Sequence, residues 1–253
     1  MVRTPRSVDS NLGTRVNRLN QLGHGEPAPL CRDFIEKLRT PVLEWFAING
    51  RSFPWRETQN AFHILIAEVL LRQTQASRVV GPYRHLVATY PDADALARAD
   101  VDELRTWFKP LGLVKRVDYL IEMAGIIVEK HSGRVPDDLG TLLDFPGLGN
   151  YSARAVLCLG FGFPLPMIDE GSGRVLRRIL GLAAKGPAYS DPILLRAAEA
   201  MIPKASGREF NLGLVDLAAA HCRPLHPRCS TCPLVGMCQW VIGSEQMPLG
   251  DGA

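Results

Sequence analysis

No stretch of this 253-residue chain is apolar for long enough to cross a membrane, and no signal-peptide core follows Met1. The sequence therefore predicts no membrane partner. Charge of one sign is also scarce. Lys and Arg number 29 against 26 Asp and Glu, a formal net charge of +3. So small a surplus permits a polyanionic partner without arguing for one, and any such case must rest on local sites. Sustained period-two alternation is missing, which removes the main sheet signal, and no internal repeat points to a solenoid. Cysteine is sparse outside one place. Cys31 and Cys158 lie in apolar surroundings and read as buried free thiols.

What is present reads as helix nearly throughout. Apolar residues make up 46% and charged residues 22%, enough to bury a core in one large domain or two lobes. Helical periodicity predicts elements over 30–49, 61–76, 78–89, 93–98, 101–108 and 114–131, with Pro41 as a break in the first. Asp92 and Asp100 are expected caps. Further helices are expected near Pro136, after the turn at 146–149, over Gly173–Leu180, Pro192–Ile202 and Phe210–Cys222. The expected fold class is all-α. Residues 1–29, polar with scattered Arg, read as a mobile tail.

The other four cysteines are Cys222, Cys229, Cys232 and Cys238, with six, two and five residues between them. Four thiols within so short a span do not make a disulfide framework in a chain of this size; they predict a metal site. Zinc and an iron–sulfur cluster both accept four thiolates. The spacing does not match the ferredoxin runs, so electron carriage fits poorly.

Residues 141–178 organise the rest. Leu142, Leu143 and Phe145 lead into Pro146-Gly147-Leu148-Gly149, and a helix follows. Two glycines before a helix let backbone approach a ligand, and the first-turn N–H groups suit a phosphate. Pro-Gly-x-Gly also makes ordinary turns between helices. Eighteen residues beyond Tyr151, after the apolar run 163–168, stands a lone acid, Asp169. A second acid, Glu68, lies in Phe62–Leu71, a segment apolar nearly all round. A carboxylate there must find a partner, such as Arg72 one turn on, or keep its proton. A buried acid protonated near neutral pH is also what a general acid requires.

Together these stretches resemble the helix-hairpin-helix, Gly/Pro…Asp superfamily of DNA glycosylases. RSFPWRETQNAFHILIAEVLLRQT, FPGLGNYSARAVLCLGFG, REFNLGLVDLAAAHC and the cysteine loop carry the resemblance over about residues 45–240. They are most similar to the endonuclease III branch, in particular its mismatch-specific thymine glycosylases and the catalytic domain of adenine glycosylases. The resemblance implies two helical lobes: a six-helix barrel with the hairpin over 61–165, and a lobe joining 30–60 to 166–253. It implies a 4Fe–4S cluster on Cys222, Cys229, Cys232 and Cys238. It implies that Gly147 and Gly149 hold a DNA phosphate, that Gln73 fills the gap left by a flipped base, and that Arg174, with Arg177 and Arg178, adds phosphate contacts. Glu68 would assist the leaving base and Asp169 would stabilise the sugar. Bifunctional members carry Lys where this chain has Tyr151, and a phenol forms no Schiff base, so base removal without strand cleavage is expected.

The implied partner is double-stranded DNA with a mismatched or damaged base, followed by an AP endonuclease, with the enzyme a monomer. The implied location is the bacterial cytoplasm at the nucleoid, or otherwise the nucleus or an organelle. The expected substrate is thymine or uracil opposite guanine, because the chain ends soon after Cys238, without the 8-oxoguanine-reading domain of adenine glycosylases. The alternatives are adenine opposite 8-oxoguanine or guanine, a modified base, a non-catalytic damage-binding protein, or an iron–sulfur redox sensor. One departure stands out. Relatives place a polar residue two positions after the acid, and this chain has Gly171. With Gly173 it reads as an open, flexible loop, with Ser172 or Glu170 as substitute supports.

Overall fold

The computed structural model describes residues 32–245 except 110, 111, 113 and 185. The expected tail and Cys31 lie outside the described residues. Among these, the chain is all-helical, as expected, with no strand. In chain order the helices are α1 Arg32–Asn49, α2 Ala61–Leu71, α3 Ala76–Thr89, α4 Ala93–Ala97, α5 Val101–Phe108 and α6 Val114–His131. They continue as α7 Leu139–Leu143, α8 Asn150–Phe161, α9 Glu170–Leu180, α10 Pro192–Met201, α11 Gly207–Ala220 and α12 Gln239–Glu245.

Two of these helices start at the polar caps the sequence placed there. The Asp92 carboxylate accepts from the Ala95 N–H at 2.8 Å, and Asp100 accepts from Asp102 and Glu103. Asn60 caps α2 and Asp138 caps α7 in the same way.

Local expectations fail in four places, each for a tertiary reason. Pro41 does not break α1, because Leu38 and Val42 on either side are fully buried and hold the helix against the core. The helix expected over 61–76 ends at Leu71. Arg72 turns extended and Gln73 takes a left-handed φ of 51°, against the helix propensity of the residues there. Gly171 and Gly173 form no open loop. Both lie in α9, which begins at Glu170, and a Cβ on Gly173 would come within 2.2 Å of the Ala188 Cβ. Their smallness serves close packing. Finally, α12 was not expected: it is short and follows the cysteine loop, and it lies against α9, with Gln239 beside Gly181 and the Trp240 ring under the Arg178 guanidinium.

Buried apolar side chains form two clusters. One gathers Trp55 with side chains of α2 through α8. The other joins α1 to α9, α10, α11 and Leu234 of the cysteine loop. Within the first, α2 and α8 pack closely because Gly160 lies against Ala61, where a Cβ would approach to 2.9 Å. That contact brings the middle of α2 beside the first turn of α8. The chain then crosses to the second cluster through residues 162–168. Gly162 ends α8 in a left-handed conformation, and its N–H reaches the Cys158 carbonyl. The crossing segment is clamped by Asn211 of α11, fully buried, which donates to the Leu165 carbonyl at 2.9 Å and accepts from the Met167 N–H at 2.9 Å. Asp169 stands at the end of this clamp.

Candidate active site

Glu68 is buried, at 6% exposure, and its expected bridge to Arg72 does not form. Arg72 turns outward and donates to the Gly147 carbonyl instead. Burial pushes the Glu68 carboxyl up from 4.5 to about 8, helped by the charge of Asp169 and opposed by a hydrogen bond with Ser152 and the charge of Arg56. At neutral pH the group favours its protonated form.

Asp169 caps α9. Its Oδ1 accepts from the Ser172 N–H at 2.6 Å and the Ser172 hydroxyl at 2.7 Å, while its own N–H donates to Ser172 Oγ at 3.0 Å. The two readings of Asp169, helix cap and reactive acid, are therefore compatible: one oxygen is held by the cap. Ser172 is fully buried and supplies the support that Gly171 lacks. Gly171 is packed closely here, since a Cβ there would lie 3.3 Å from Asp169 Oδ1 and 3.1 Å from the Ala218 Cβ.

Tyr151, half-buried in the first turn of α8, stands near both acids. Burial holds its phenol well above its usual range, and the charges of Glu68 and Asp169 push the same way. It is a neutral hydroxyl at any physiological pH. Beside it, α8 begins at Gly149, which has no side-chain cap and nothing within 4 Å of a Cβ position. The uncapped turn faces open space. Gly147 has a φ of 74°, which requires glycine.

A cavity of about 640 Å³ opens beside Asp169, which lines it together with Arg51, Gly171, Arg174, Ala218 and Arg223. Arg174 also anchors the cysteine loop, since its Nε donates to the Cys222 carbonyl at 2.7 Å. The two arginines expected beside it as phosphate contacts are engaged elsewhere. Arg177 is buried and paired with Asp191 at 2.9 Å. Arg178 stacks on Trp240 and donates to Cys222 Sγ at 3.4 Å and to the Arg223 carbonyl at 3.0 Å. Cys222, Cys229, Cys232 and Cys238 are partly buried on this one loop and are not joined as disulfides. Among the described residues, no group of three or more His, Cys, Asp or Glu side chains is set to hold a metal ion.

The structure thus sets an acid held neutral in an apolar helix near a second acid fixed at a helix cap, with an uncapped Gly-x-Gly turn at the head of α8. Residues 66–198 match the HhH-GPD superfamily base excision DNA repair protein family. The chain belongs to this superfamily. It is 39% identical to a thymine-DNA glycosylase of Aeropyrum pernix, over 81% of this chain and 94% of that protein. It is 36% identical to an adenine DNA glycosylase of Mycobacterium tuberculosis, over 79% of this chain and 66% of that protein. Among solved structures, a thermostable thymine-DNA glycosylase superposes with a TM-score of 0.78 at 32% identity, covering 83% of this chain and 97% of that one.

Within this superfamily fold, several residues around the acids escaped the sequence reading. Ser152 is an ordinary serine in sequence, and only folding puts it on Glu68, whereas Ser172, expected as a substitute support, reaches Asp169 through the local capping box. Asp216 of α11 is buried and ties two arginines of the connector 51–56. Arg51 Nε reaches it at 2.7 Å and Arg56 Nη1 at 2.8 Å. Burial alone would raise Asp216, but the Arg56 and Arg51 bonds outweigh it and hold the carboxyl below its usual range. This fixes Arg56 where its charge is felt by Glu68 and Tyr151. The clue was a lone acid in the apolar helix LGLVDLAAA, the same signal that singled out Glu68.

Proposed function

We propose that this chain is a DNA glycosylase of base excision repair that removes thymine or uracil mispaired with guanine. It hydrolyses the N-glycosidic bond and leaves the abasic strand intact. The observation that carries the reading is the meeting of a neutral Glu68, an anchored Asp169 and a phenol, not an amine, at position 151.

The uncapped turn at Gly147–Gly149 grips a phosphate of the duplex and fixes register without reading sequence. Gln73 fills the gap as the pyrimidine leaves the stack, a step made less costly by mispairing. Glu68 donates its proton to the departing base. Asp169, with one oxygen held by Ser172, stabilises the cationic sugar and directs water to its anomeric carbon. The base departs with the Glu68 proton, and water supplies the hydroxyl left on the sugar and returns a proton to Glu68. Tyr151 lines the pocket and forms no covalent link to the sugar, so no strand cleavage follows. Arg174 faces the cavity beside Asp169 and adds positive charge where the backbone passes.

Cys222, Cys229, Cys232 and Cys238 would hold a 4Fe–4S cluster. Four soft thiol donors on one loop suit it, and the Arg178 guanidinium lies against the Cys222 sulfur, where it would stabilise a thiolate. The cluster would order the loop without taking part in base release. The product calls for an AP endonuclease next, and nothing in the proposed chemistry needs a second copy of the chain. The expected location is wherever the genome lies, at the nucleoid in a bacterium.

A second reading, excision of adenine opposite 8-oxoguanine or guanine, is favoured by the 36% identity to an adenine DNA glycosylase. Single-turnover release from T·G, U·G, A·8-oxoguanine and A·G duplexes at fixed salt separates the two. Faster release of thymine or uracil is expected. Faster release of adenine would replace the first reading with the second, and no release from any duplex would leave a DNA-binding protein without catalysis.

A further inference from the structure

Gln73 occupies a costly conformation. Its φ of 51° is left-handed, which non-glycine residues adopt rarely, and it is exposed at the C-terminal end of α2. Among the described residues, its own side chain has no bond that would hold it there. The neighbouring residues do the holding. Arg116, half-buried in the first turn of α6, spreads its guanidinium over both sides of the turn. One nitrogen donates to Thr74 Oγ1 at 2.8 Å, and the other to the Arg72 carbonyl. The Thr74 hydroxyl also reaches the Arg72 carbonyl, at 3.3 Å. Arg72 itself extends from the turn to the Gly147 carbonyl in the hairpin, and the hairpin is backed there by the Tyr119 ring, 2.8 Å from where a Gly147 Cβ would lie.

This arrangement works against simple stability. A cation in the first turn of a helix opposes the helix dipole. Arg116 is also partly desolvated and faces the like charge of Arg72. A cationic fork in that place is explained by what it holds. The planar guanidinium can bridge two acceptors at once, which an ammonium cannot.

We infer that Arg116 is a positioning residue for the gap-filling side chain: it locks the Arg72–Gln73–Thr74 turn, and Arg72 couples that turn to the phosphate-gripping hairpin. Seating a phosphate on the hairpin and presenting Gln73 to the gap are then one rigid event. The inference rests on the proposed role of Gln73, and its test keeps the two apart.

The test uses the full chain with its cluster loaded and two duplexes. One carries T opposite G, and the other carries T opposite a tetrahydrofuran abasic analogue, where extrusion needs little help. A 2-aminopurine beside the target reports unstacking. Arg116→Ala is expected to slow release from T·G by about 10- to 100-fold, the loss of two charge-assisted bonds, and from the abasic-paired duplex by less than about threefold. The 2-aminopurine rise should shrink with the T·G duplex. Arg116→Lys keeps the charge but spans one acceptor, so an intermediate rate is expected. Thr74→Val, which removes one acceptor, should give a smaller loss of the same selectivity and guards against misfolding of the Arg116 variant. Equal losses on both duplexes, or full rescue by Arg116→Lys, would overturn the inference and leave Arg116 a general structural or phosphate contact. Gln73→Ala is the control. If it is selective for T·G and Arg116→Ala is not, the inference alone fails. If Gln73→Ala spares T·G, the gap-filling role fails and takes the inference with it.

Discussion

Replacing Glu68 by Gln should make the protein more stable and nearly inactive, and the stability gain should depend on pH in one direction. The carboxyl is 6% exposed and is raised from 4.5 to about 8 by burial. A carboxyl raised on folding binds its proton more tightly in the folded chain than in the unfolded one. Below pH 4.5 both states are protonated and ionisation costs nothing. The cost grows as pH rises from 4.5 and is complete above about 8. At about 1.4 kcal/mol per pH unit, it reaches about 3 kcal/mol at pH 7. Gln keeps the size and a hydrogen-bonding head for Ser152 but cannot ionise, so it escapes this cost. The advantage of Glu68→Gln over the native chain should therefore be about 3 kcal/mol larger at pH 8 than at pH 5. At about 2–4 °C per kcal/mol for a chain of this size, that widens the Tm gap by about 6–12 °C. Melting of both proteins at the two pH values, each with a full cluster, measures it. In parallel, single-turnover base release should fall by about 10²–10⁴-fold in the variant, and native activity should decline as pH passes about 8. An equal Tm gap at pH 5 and pH 8 would refute the claim that Glu68 is held protonated. Stability and activity would then no longer compete at this position.

Three further outcomes are expected. Asp169→Asn should lose base release by at least about 10²-fold while retaining duplex binding, and Ser172→Ala should show a smaller loss of the same kind; a Ser172→Ala enzyme of native rate would remove the serine from the mechanism. Borohydride should trap no covalent complex of the native chain with cleavable duplex, and the abasic product should break only on treatment with alkali, whereas an efficient trap would point to an amine nucleophile in place of the Tyr151 phenol. Purified protein should be brown and contain about four irons per chain, with Cys229→Ser losing iron and DNA affinity before the barrel helices unfold; a colourless protein with one zinc would reassign the four cysteines.

The sequence by itself determined the helices, the two acids and the turn between them. Apolar residues recurring at helical spacing specify burial locally, and a lone acid among them, as in Phe62–Leu71, is visible without knowing what surrounds it. Asp92 and Asp100 could be read as caps because a cap acts on the next three residues. Contacts between segments far apart in the chain were not legible. Ser152 lies 84 residues from Glu68, and Asp216 lies 160 residues from Arg56. Nothing in either neighbourhood announces the pairing. Local propensity also misled where a distant group captured the backbone. Arg116 draws off the Arg72 carbonyl and ends α2 early, and the approach of Ala188 turns Gly173 from a loop residue into a packed helical one. Periodicity and capping are short-range and are written in consecutive residues. The pKa of Glu68, the fixing of Arg56 by Asp216 and the conformation of Gln73 depend on desolvation and on hydrogen bonds between remote segments, which exist only once the chain has closed around them.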